Sequence, residues 1–217
     1  MTEKVPLKAR IRKLFTNVWT VPNVLTMIRL VLIPVFVVFF WKGHPAGQAP
    51  VNYWIKAALI VFVAASLTDA LDGYLARKLN QITDFGKLFD PLADKLMVLT
   101  ALVCQGLAGV LPWTAIAIVA AKELFLVIGG LIMLNHNIVV YSNYVGKTAQ
   151  VCFIISLILS FFHEELTAAG WIILGMPLDV LLLWITVILS LIAMIIYIVS
   201  SVRTVKAREK EKAAEGN

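Results

Sequence analysis

Residues 69–94 read DALDGYLARKLNQITDFGKLFDPLAD, and this stretch decides how the chain is interpreted. Four of its aspartates, Asp69, Asp72, Asp90 and Asp94, lie in sequence that is apolar enough to enter a membrane. An ionised carboxylate in hydrocarbon costs at least ~2.5–3.5 kcal/mol on membrane-insertion scales. Several of them so close together need a compensating partner, and a divalent cation is the simplest one. The stretch therefore predicts a membrane enzyme with a metal site.

The spacing of these residues predicts two helices, each with one polar face. At about 100° per residue, five positions share a face of the first helix: Asp69, Asp72, Gly73, Ala76 and Arg77. Three positions share a face of the second: Gly86, Asp90 and Asp94. A polar stretch at 78–85 predicts the turn between them, with Asp84 as a solvated loop residue. Residues 69–94 are therefore expected to form an antiparallel pair, called here the acidic hairpin.

Carboxylates on facing helices predict Mg²⁺ or Mn²⁺ and not zinc, because hard cations prefer oxygen ligands. Gly73, Ala76 and Gly86 are small at positions where a ligand or a neighbouring helix must come close. The alternative is a set of salt bridges with neighbouring cations: Arg77, Lys78, Lys87 and Lys95. Charge balance alone does not require the i+3 and i+4 spacing with interleaved glycines, so metal binding is the preferred interpretation.

The composition is that of a helical membrane protein. The chain has 217 residues, of which 60% are apolar and 15% charged, and its mean hydropathy is +0.89. These values exclude an ordinary soluble domain. The net charge of +6 sits at helix ends and does not indicate nucleic-acid binding. At ~20 residues per crossing, the predicted fold is all-α and polytopic, with six transmembrane helices in one membrane domain at 22–202.

The segments that flank this domain are charged. Residues 1–21 predict an amphipathic helix in the membrane interface, because apolar residues recur at helical spacing from Leu7 to Trp19 among basic ones. A merely solvated basic tail is the alternative. Residues 203–217 are predicted as a charged cytosolic tail.

Six apolar segments predict the spans at about 23–41, 54–79, 86–107, 110–134, 145–162 and 178–202. Asn23 is predicted as the N-cap of the first span. Lysines and arginines gather near the amino terminus, the acidic hairpin, Lys147 and the carboxyl-terminal segment. Because such residues favour the cytosolic side, both termini and the acidic hairpin are expected there, where a water-soluble substrate can meet a lipid.

The acidic hairpin also carries a specific motif. The pattern D-x2-D-G-x2-A-R-x8-G-x3-D-x3-D is met at every fixed position, and it resembles the signature of the CDP-alcohol phosphatidyltransferases. PNVLTMIR at 22–29 resembles the entry to the first helix of that family. The resemblance implies transfer of a phosphatidyl group from CDP-diacylglycerol to an alcohol, with release of CMP. It also implies a bacterial cytoplasmic membrane protein in contact with membrane lipids, often a homodimer.

The resemblance implies roles for the motif residues. The implied ligands of two metal ions are Asp69, Asp72, Asp90 and Asp94. Asp94 is also the candidate base for the hydroxyl proton of the acceptor. The implied nucleotide-binding positions are Asp69, Gly73, Ala76, Arg77 and Gly86. Asn23 and Thr26 are candidates for further polar contacts to the nucleotide, with simple capping an equal alternative for Asn23.

Three basic residues indicate an anionic acceptor, for which sn-glycerol 3-phosphate is the preferred candidate. The candidates for its phosphate are Arg29, Lys122 and Lys147. Each has an alternative, which is pairing with a carboxylate or extension to the membrane surface. The chain carries Lys122-Glu123 where the family branch commonly has Arg-Glu. The competing acceptors are inositol phosphate, serine and phosphatidylglycerol. A membrane transporter is the remote alternative. Transporters place intramembrane charges near the midplane of the bilayer, whereas the carboxylates of this chain are expected at the cytosolic end of one hairpin.

Overall fold

A computed structural model of the chain describes the backbone of residues 20–46, 50–78, 84–135 and 144–215. Within these ranges, the described side chains exclude residues 22, 69–78, 84–88, 90–91, 130–135 and 206–215. The described chain is mostly helical, as expected. The predicted interfacial helix at 1–21 lies, up to residue 19, outside the described residues and stays a prediction.

Seven helices and one short β-hairpin make up the described parts of the chain. In order they are α1 (Val21–Gly43), α2 (Asn52–Lys78), α3 (Asp84–Leu107), α4 (Trp113–Asn135), α5 (Tyr144–Ser160), α6 (His163–Ala168), β1 (Ile172–Ile173), β2 (Met176–Pro177) and α7 (Leu178–Glu215). Each predicted span has a helix at its position. The last one differs most, because α7 continues through most of the segment predicted as a tail. That segment is rich in Ala, Lys, Glu and Arg, which are strong helix formers.

Among the described residues, two helical segments are long and apolar enough to cross a membrane. These are Asn23–Gly43 and Leu178–Val205. Asn52–Thr68 and Tyr144–Ser160 are also apolar but shorter. In α3, charged residues interrupt the apolar sequence. The count of six spans therefore stays a prediction.

The start of α1 corrects one expectation. The prediction that Asn23 caps this helix is wrong, because the helix begins at Val21 with Thr20 at the N-cap position. Pro22 lies in the first turn, where its fixed φ and missing N–H are tolerated. The helix can therefore begin before Asn23, whose side chain is buried inside it.

The chain divides into two compact units, of which the first ends at Cys104. In that unit α1 packs along α2. Phe36 and Phe40 of α1 and Phe62 of α2 are fully buried, and the ring centroid of Phe36 lies 5.8 Å from that of Phe40 and 6.3 Å from that of Phe62. Such ring pairs add about 0.5–1.5 kcal/mol each beyond their buried area. These three residues, the aromatic cluster, hold one end of the α1–α2 pair together.

The turn between α1 and α2 depends on Gly43. A Cβ atom at this position would lie 2.7 Å from the side chain of Ile55, so a larger residue requires movement. The carbonyl of Gly43 accepts a hydrogen bond from the N–H of Val51 at 2.8 Å. This close approach fixes how the two helices start to pack.

In the second unit, which begins at Gln105, α4 and α5 pack on α7. Asp179, in the first turn of α7, is fully buried. Its Oδ2 lies 2.8 Å from Nδ1 of His163, and its carbonyl accepts a hydrogen bond from Ser156 Oγ at 3.1 Å. A carboxylate is also favoured at a helix amino terminus by the helix dipole. These contacts join α5, α6 and the start of α7.

Two tight backbone motifs lead from α6 to α7. At the end of α6, Gly170 has φ +75°, its N–H donates to the carbonyl of Thr167, and the N–H of Trp171 donates to that of Leu166. This is the Schellman pattern, in which glycine takes the left-handed position. The helix therefore ends at a fixed place and the chain reverses into β1.

The strands β1 and β2 pair antiparallel with Ile173 opposite Met176, so that Leu174 and Gly175 form a two-residue turn. Their φ values are 55° and 76°, as the type I′ turn requires at both central positions. A left-handed conformation costs about 1–2 kcal/mol for a residue with a side chain such as leucine. Leu174 is therefore a strained residue at the tip of the hairpin.

Candidate active site

The acidic positions of α2 continue its buried face. Ala58, Phe62 and Ala65 are fully buried, whereas Ile60 and Leu67 are exposed on the opposite side. The backbone stays helical to Lys78. At about 100° per residue, the register of this helix gives four motif positions the same face as Ala58, Phe62 and Ala65: Asp69, Asp72, Gly73 and Ala76. Arg77 lies at the edge of this face.

The same holds for α3. Ala93, Met97 and Ala101 are buried, and Leu92 and Leu96 are exposed on the other side. The helical register at about 100° per residue gives three motif positions the same side of α3 as Ala93 and Met97: Gly86, Asp90 and Asp94. Continuing this register therefore favours interior positions for both halves of the motif, and that assignment stays a prediction.

One detail of the acidic hairpin differs from expectation. The prediction that Asp84 is a loop residue is wrong, because α3 begins at Asp84. An acidic residue at this place is favoured by the positive end of the helix dipole. The residues between the helices, 79–83, lie outside the described part of the chain.

The amino-terminal half of α1 adds buried polar groups to the first unit. Asn23, Thr26 and Arg29 are all buried. Arg29 lies on the side of α1 that also carries Phe36 and Phe40, because these positions are seven and eleven residues away, and its side chain contacts α2. The interior of this helix pair is therefore polar toward the amino end of α1 and aromatic toward its carboxyl end.

Arg29 connects α1 to the helix that carries the first half of the motif. Its Nε donates a hydrogen bond to the carbonyl of Ala65 at 3.3 Å. The hydroxyl of Thr68 donates to the same carbonyl at 2.7 Å. Ala65 precedes Asp69 by one helical turn, which is about 6 Å along the axis. The structure thus brings Arg29 close to the level of the first motif aspartate.

The other two acceptor candidates lie in the second unit. Lys122 is paired with a carboxylate, because its Nζ lies 2.6 Å from Oε1 of Glu123. This is the alternative that the sequence left open for it. Lys147 is exposed, with its Nζ 5.9 Å from the ring centroid of Tyr144. Of the three candidates, Arg29 is the one with a described contact to the helix that carries the first half of the motif.

For the proposed metal ligands, the structure gives the positions of the residues along α2 and α3. Among the residues whose side chains are described, no three His, Cys, Asp or Glu side chains come together. The side chains of Asp69, Asp72 and Asp90 are outside that set, and Asp94 is partly buried. The motif offers carboxylate oxygens on two helices, without thiolate or imidazole, and this donor set fits a hard divalent cation.

Sequence reasoning missed two features of the described residues. The first is the Ala65 carbonyl, which receives both Arg29 and Thr68; the position of Thr68 directly before Asp69 was the available signal. The second is the pair formed by the partly exposed His163 and the buried Asp179, for which an aspartate at the start of an apolar segment was the signal. The contacts at the Ala65 carbonyl support the proposed site. The contact between His163 and Asp179 stabilises the fold of the second unit.

Comparison with protein families identifies the chain. A model described as CDP-alcohol phosphatidyltransferase matches residues 19–192. The chain belongs to the CDP-alcohol phosphatidyltransferase family. It is therefore a transferase, and its apolar helices together with this family indicate a membrane protein.

Curated members of the family are similar over different parts of the chain. A CDP-diacylglycerol--glycerol-3-phosphate 3-phosphatidyltransferase of Bacillus subtilis is 34% identical over 184 residues, which are 81% of this chain and 91% of the relative. One of the same name from Pseudomonas fluorescens is 49% identical over 83 residues, 38% of this chain and 39% of the relative. A cardiolipin synthase (CMP-forming) of Streptomyces coelicolor is 32% identical over 157 residues, 72% of this chain and 70% of the relative. The similarity thus extends to relatives with two different names.

Proposed function

We propose that this phosphatidyltransferase acts on CDP-diacylglycerol and sn-glycerol 3-phosphate and forms phosphatidylglycerophosphate and CMP. The acceptor hydroxyl oxygen bonds to the phosphorus that carries diacylglycerol, the bond from that phosphorus to the oxygen of CMP breaks, and the hydroxyl proton passes to a base. The Bacillus relative, named for this reaction, supports the choice of acceptor along most of both chains. The chemistry is supported by the helical register of α2 and α3, in which the aspartate positions of the motif share a side with the buried Phe62 and Ala65 of α2 and the buried Ala93 and Met97 of α3.

The metal site is assigned to the four spaced aspartates: Asp69, Asp72, Asp90 and Asp94. Their oxygens suit Mg²⁺ or Mn²⁺, and four carboxylates on two helices suit two ions. Bound divalent cations neutralise the diphosphate and the charge that develops on the departing CMP. The four carboxylates would hold these cations where the diphosphate of the donor lipid binds. Two ions and the choice between Mg²⁺ and Mn²⁺ are parts of the proposal.

Asp94 is assigned as the base for the hydroxyl proton. A base must reach that proton within hydrogen-bond distance, and Asp94 lies on the interior face of α3. The nucleotide is assigned to the remaining motif positions and to the buried amides and hydroxyls of α1: Asn23, Thr26, Asp69, Gly73, Ala76, Arg77 and Gly86. Small residues let the helix backbone approach the nucleotide, and a guanidinium suits phosphate.

Arg29 is the preferred contact for the acceptor phosphate. Its guanidinium is buried beside α2, one turn before the motif, and the planar fork of a guanidinium suits a phosphate group. Lys147 is a second candidate because it is exposed. Lys122 would have to exchange Glu123 for phosphate, so it is the least favoured of the three.

The distribution of lysine and arginine supports a site at the cytosolic face of a bacterial cytoplasmic membrane, with both termini on that side. There the lipid donor comes from the bilayer and the acceptor comes from water. A homodimer in contact with membrane lipids, implied by the family, completes the proposal.

An acceptor panel tests the proposal. Purified full-length protein receives CDP-diacylglycerol with glycerol 3-phosphate, phosphatidylglycerol, inositol phosphate or serine, and both CMP release and lipid product are measured. Of the four acceptors, we expect only glycerol 3-phosphate to give rapid CMP release from CDP-diacylglycerol. Release with phosphatidylglycerol instead would assign the reaction of the Streptomyces relative, and release with any other alcohol would also overturn the proposed acceptor.

A further inference from the structure

We propose that the connection between α6 and α7 docks its tip into the interface of the lipid bilayer. The tip is residues 171–174, the sequence WIIL. Trp171, Ile172, Ile173 and Leu174 are 55%, 52%, 46% and 84% exposed. Four successive large apolar residues thus lie on the surface of the second unit, on a segment to which the proposed reaction assigns no role.

The side chains on both faces of strand β1 are exposed. Successive side chains of a strand point to opposite faces, so a hairpin in water usually buries every second residue. Both residues of β1, Ile172 and Ile173, are exposed. A contiguous exposed apolar surface of this kind indicates a binding surface.

The turn residue gives the second argument. Leu174 combines the greatest exposure of the four with a φ of 55°. Glycine or asparagine adopts this conformation more readily than leucine. A leucine here is unfavourable in water both for its backbone and for its side chain. Contact with acyl chains removes the second of these penalties.

The position of the hairpin identifies the occupant. The N–H of Leu178 donates to the carbonyl of Trp171 at 3.1 Å, which ties the base of the tip to the first residue of α7. The apolar segment of α7 that is long enough to span a membrane also begins at Leu178. The tip is therefore held at the level where the membrane begins, and tryptophan favours that interface. The bilayer, rather than a soluble partner, is the surface that this tip can reach.

The neighbouring helix provides the polar side. Glu164 and Glu165 of α6 are exposed, and His163 of the same helix is held by the buried Asp179 of α7. Acidic side chains avoid hydrocarbon, so α6 stays in water while the tip enters the interface. This contrast within one short connection supplies a matched control.

Depth measurements on the full chain in vesicles test the proposal. Cys104 is buried and stays, Cys152 is replaced by alanine, and this parent gives the background labelling. Leu174→Cys and the control Glu165→Cys are labelled with the fluorophore NBD and reconstituted into vesicles of phosphatidylcholine and phosphatidylglycerol. We expect lipids with brominated acyl chains to quench the label at 174 at least threefold more than the label at 165, and iodide to show the reverse order.

Two outcomes would overturn the proposal. One is equal quenching by iodide at both positions, which would put the tip in water. The other is protection of the label at 174 from both quenchers, which would put the tip against protein, such as a second copy of the chain.

A second variant separates anchoring from turn geometry. Leu174→Asn suits the positive φ, so a purely structural turn keeps or raises the melting temperature in detergent. With a label at Ile172→Cys, we expect Leu174→Asn to reduce quenching by brominated lipids at least twofold relative to the chain with Leu174. Unchanged quenching would show that Leu174 does not hold the tip in the membrane.

Discussion

The two ends of the α1–α2 pair bury different kinds of side chain. The carboxyl-terminal half of α1 meets α2 through the aromatic cluster, Phe36, Phe40 and Phe62. The amino-terminal half buries an amide, a hydroxyl and a guanidinium, those of Asn23, Thr26 and Arg29. One helix pair therefore has an apolar end and a polar end, and Arg29 at the polar end contacts α2 one turn before the aspartate motif begins.

This difference indicates a division of labour along one pair of helices. Aromatic burial is favourable by itself, whereas a buried guanidinium lowers stability unless its partners are well placed. The aromatic cluster can hold the two helices in register. The buried polar side chains at the other end are then not needed to hold the helices together. We therefore expect changes at the polar end to affect activity and changes at the aromatic end to affect stability.

The largest expected effect comes from removing divalent metal. Treatment with EDTA should reduce CMP release to background, because the diphosphate would then face uncompensated carboxylates, and Mg²⁺ or Mn²⁺ should restore it. The measurement is CMP release before and after back-titration. Full activity in EDTA would show that the reaction does not need a divalent metal ion at the aspartate motif.

Asp94→Asn should reduce turnover by about 10²–10⁴-fold, the range for loss of a general base. Nucleotide binding should change much less, as measured by titration with CDP or CMP. The matched control is Asp84→Asn, which removes a carboxylate from the first position of the same helix and should keep nearly full turnover. Equal losses of turnover in both variants would mean that the motif does not identify Asp94 as the catalytic base.

Phe36→Ala tests the aromatic end. Loss of a fully buried phenylalanine should lower the free energy of unfolding by about 3–5 kcal/mol, measured as thermal unfolding in detergent. The kcat/KM of the protein that remains folded should stay close to that of the parent. Val38→Ala, which changes an exposed position of α1, is the control. A selective loss of kcat with normal stability would contradict the assigned division of labour.

Arg29→Lys tests the polar end. It keeps the charge but removes the planar fork, so KM for glycerol 3-phosphate should rise about tenfold, equivalent to ~1.4 kcal/mol. KM for CDP-diacylglycerol should change little. Arg203→Lys, at an exposed position of α7, serves as the control. If Arg29→Lys changes only the melting temperature, Arg29 is structural.

The smallest effect is expected outside the first unit. His163→Ala removes the partner of the buried Asp179 carboxylate and should destabilise the protein by about 1–3 kcal/mol, with little change in turnover. Glu164→Ala, on the exposed side of α6, should be neutral. A large loss of turnover in His163→Ala would extend the functional site beyond the α1–α2 pair and the motif.

Sequence reasoning went furthest where structure is local. The helical positions of Asp69, Asp72, Asp90 and Asp94 follow from spacing, because the period of a helix depends on neighbouring residues alone. It failed at Asn23 and Asp84, which were assigned to a cap and a loop but lie inside helices. Helix ends depend on small differences between competing caps, so a boundary error of a few residues is expected.

The sequence by itself determined the family, the aspartate motif and the apolar helices, because these are written in residue type and spacing. Only the tertiary structure decided that Arg29 reaches Ala65, that Lys122 pairs with Glu123, and that Leu174 stands exposed in a strained turn. Each of these depends on the rotamer or backbone conformation that the surrounding fold imposes. Spacing along a chain does not specify them.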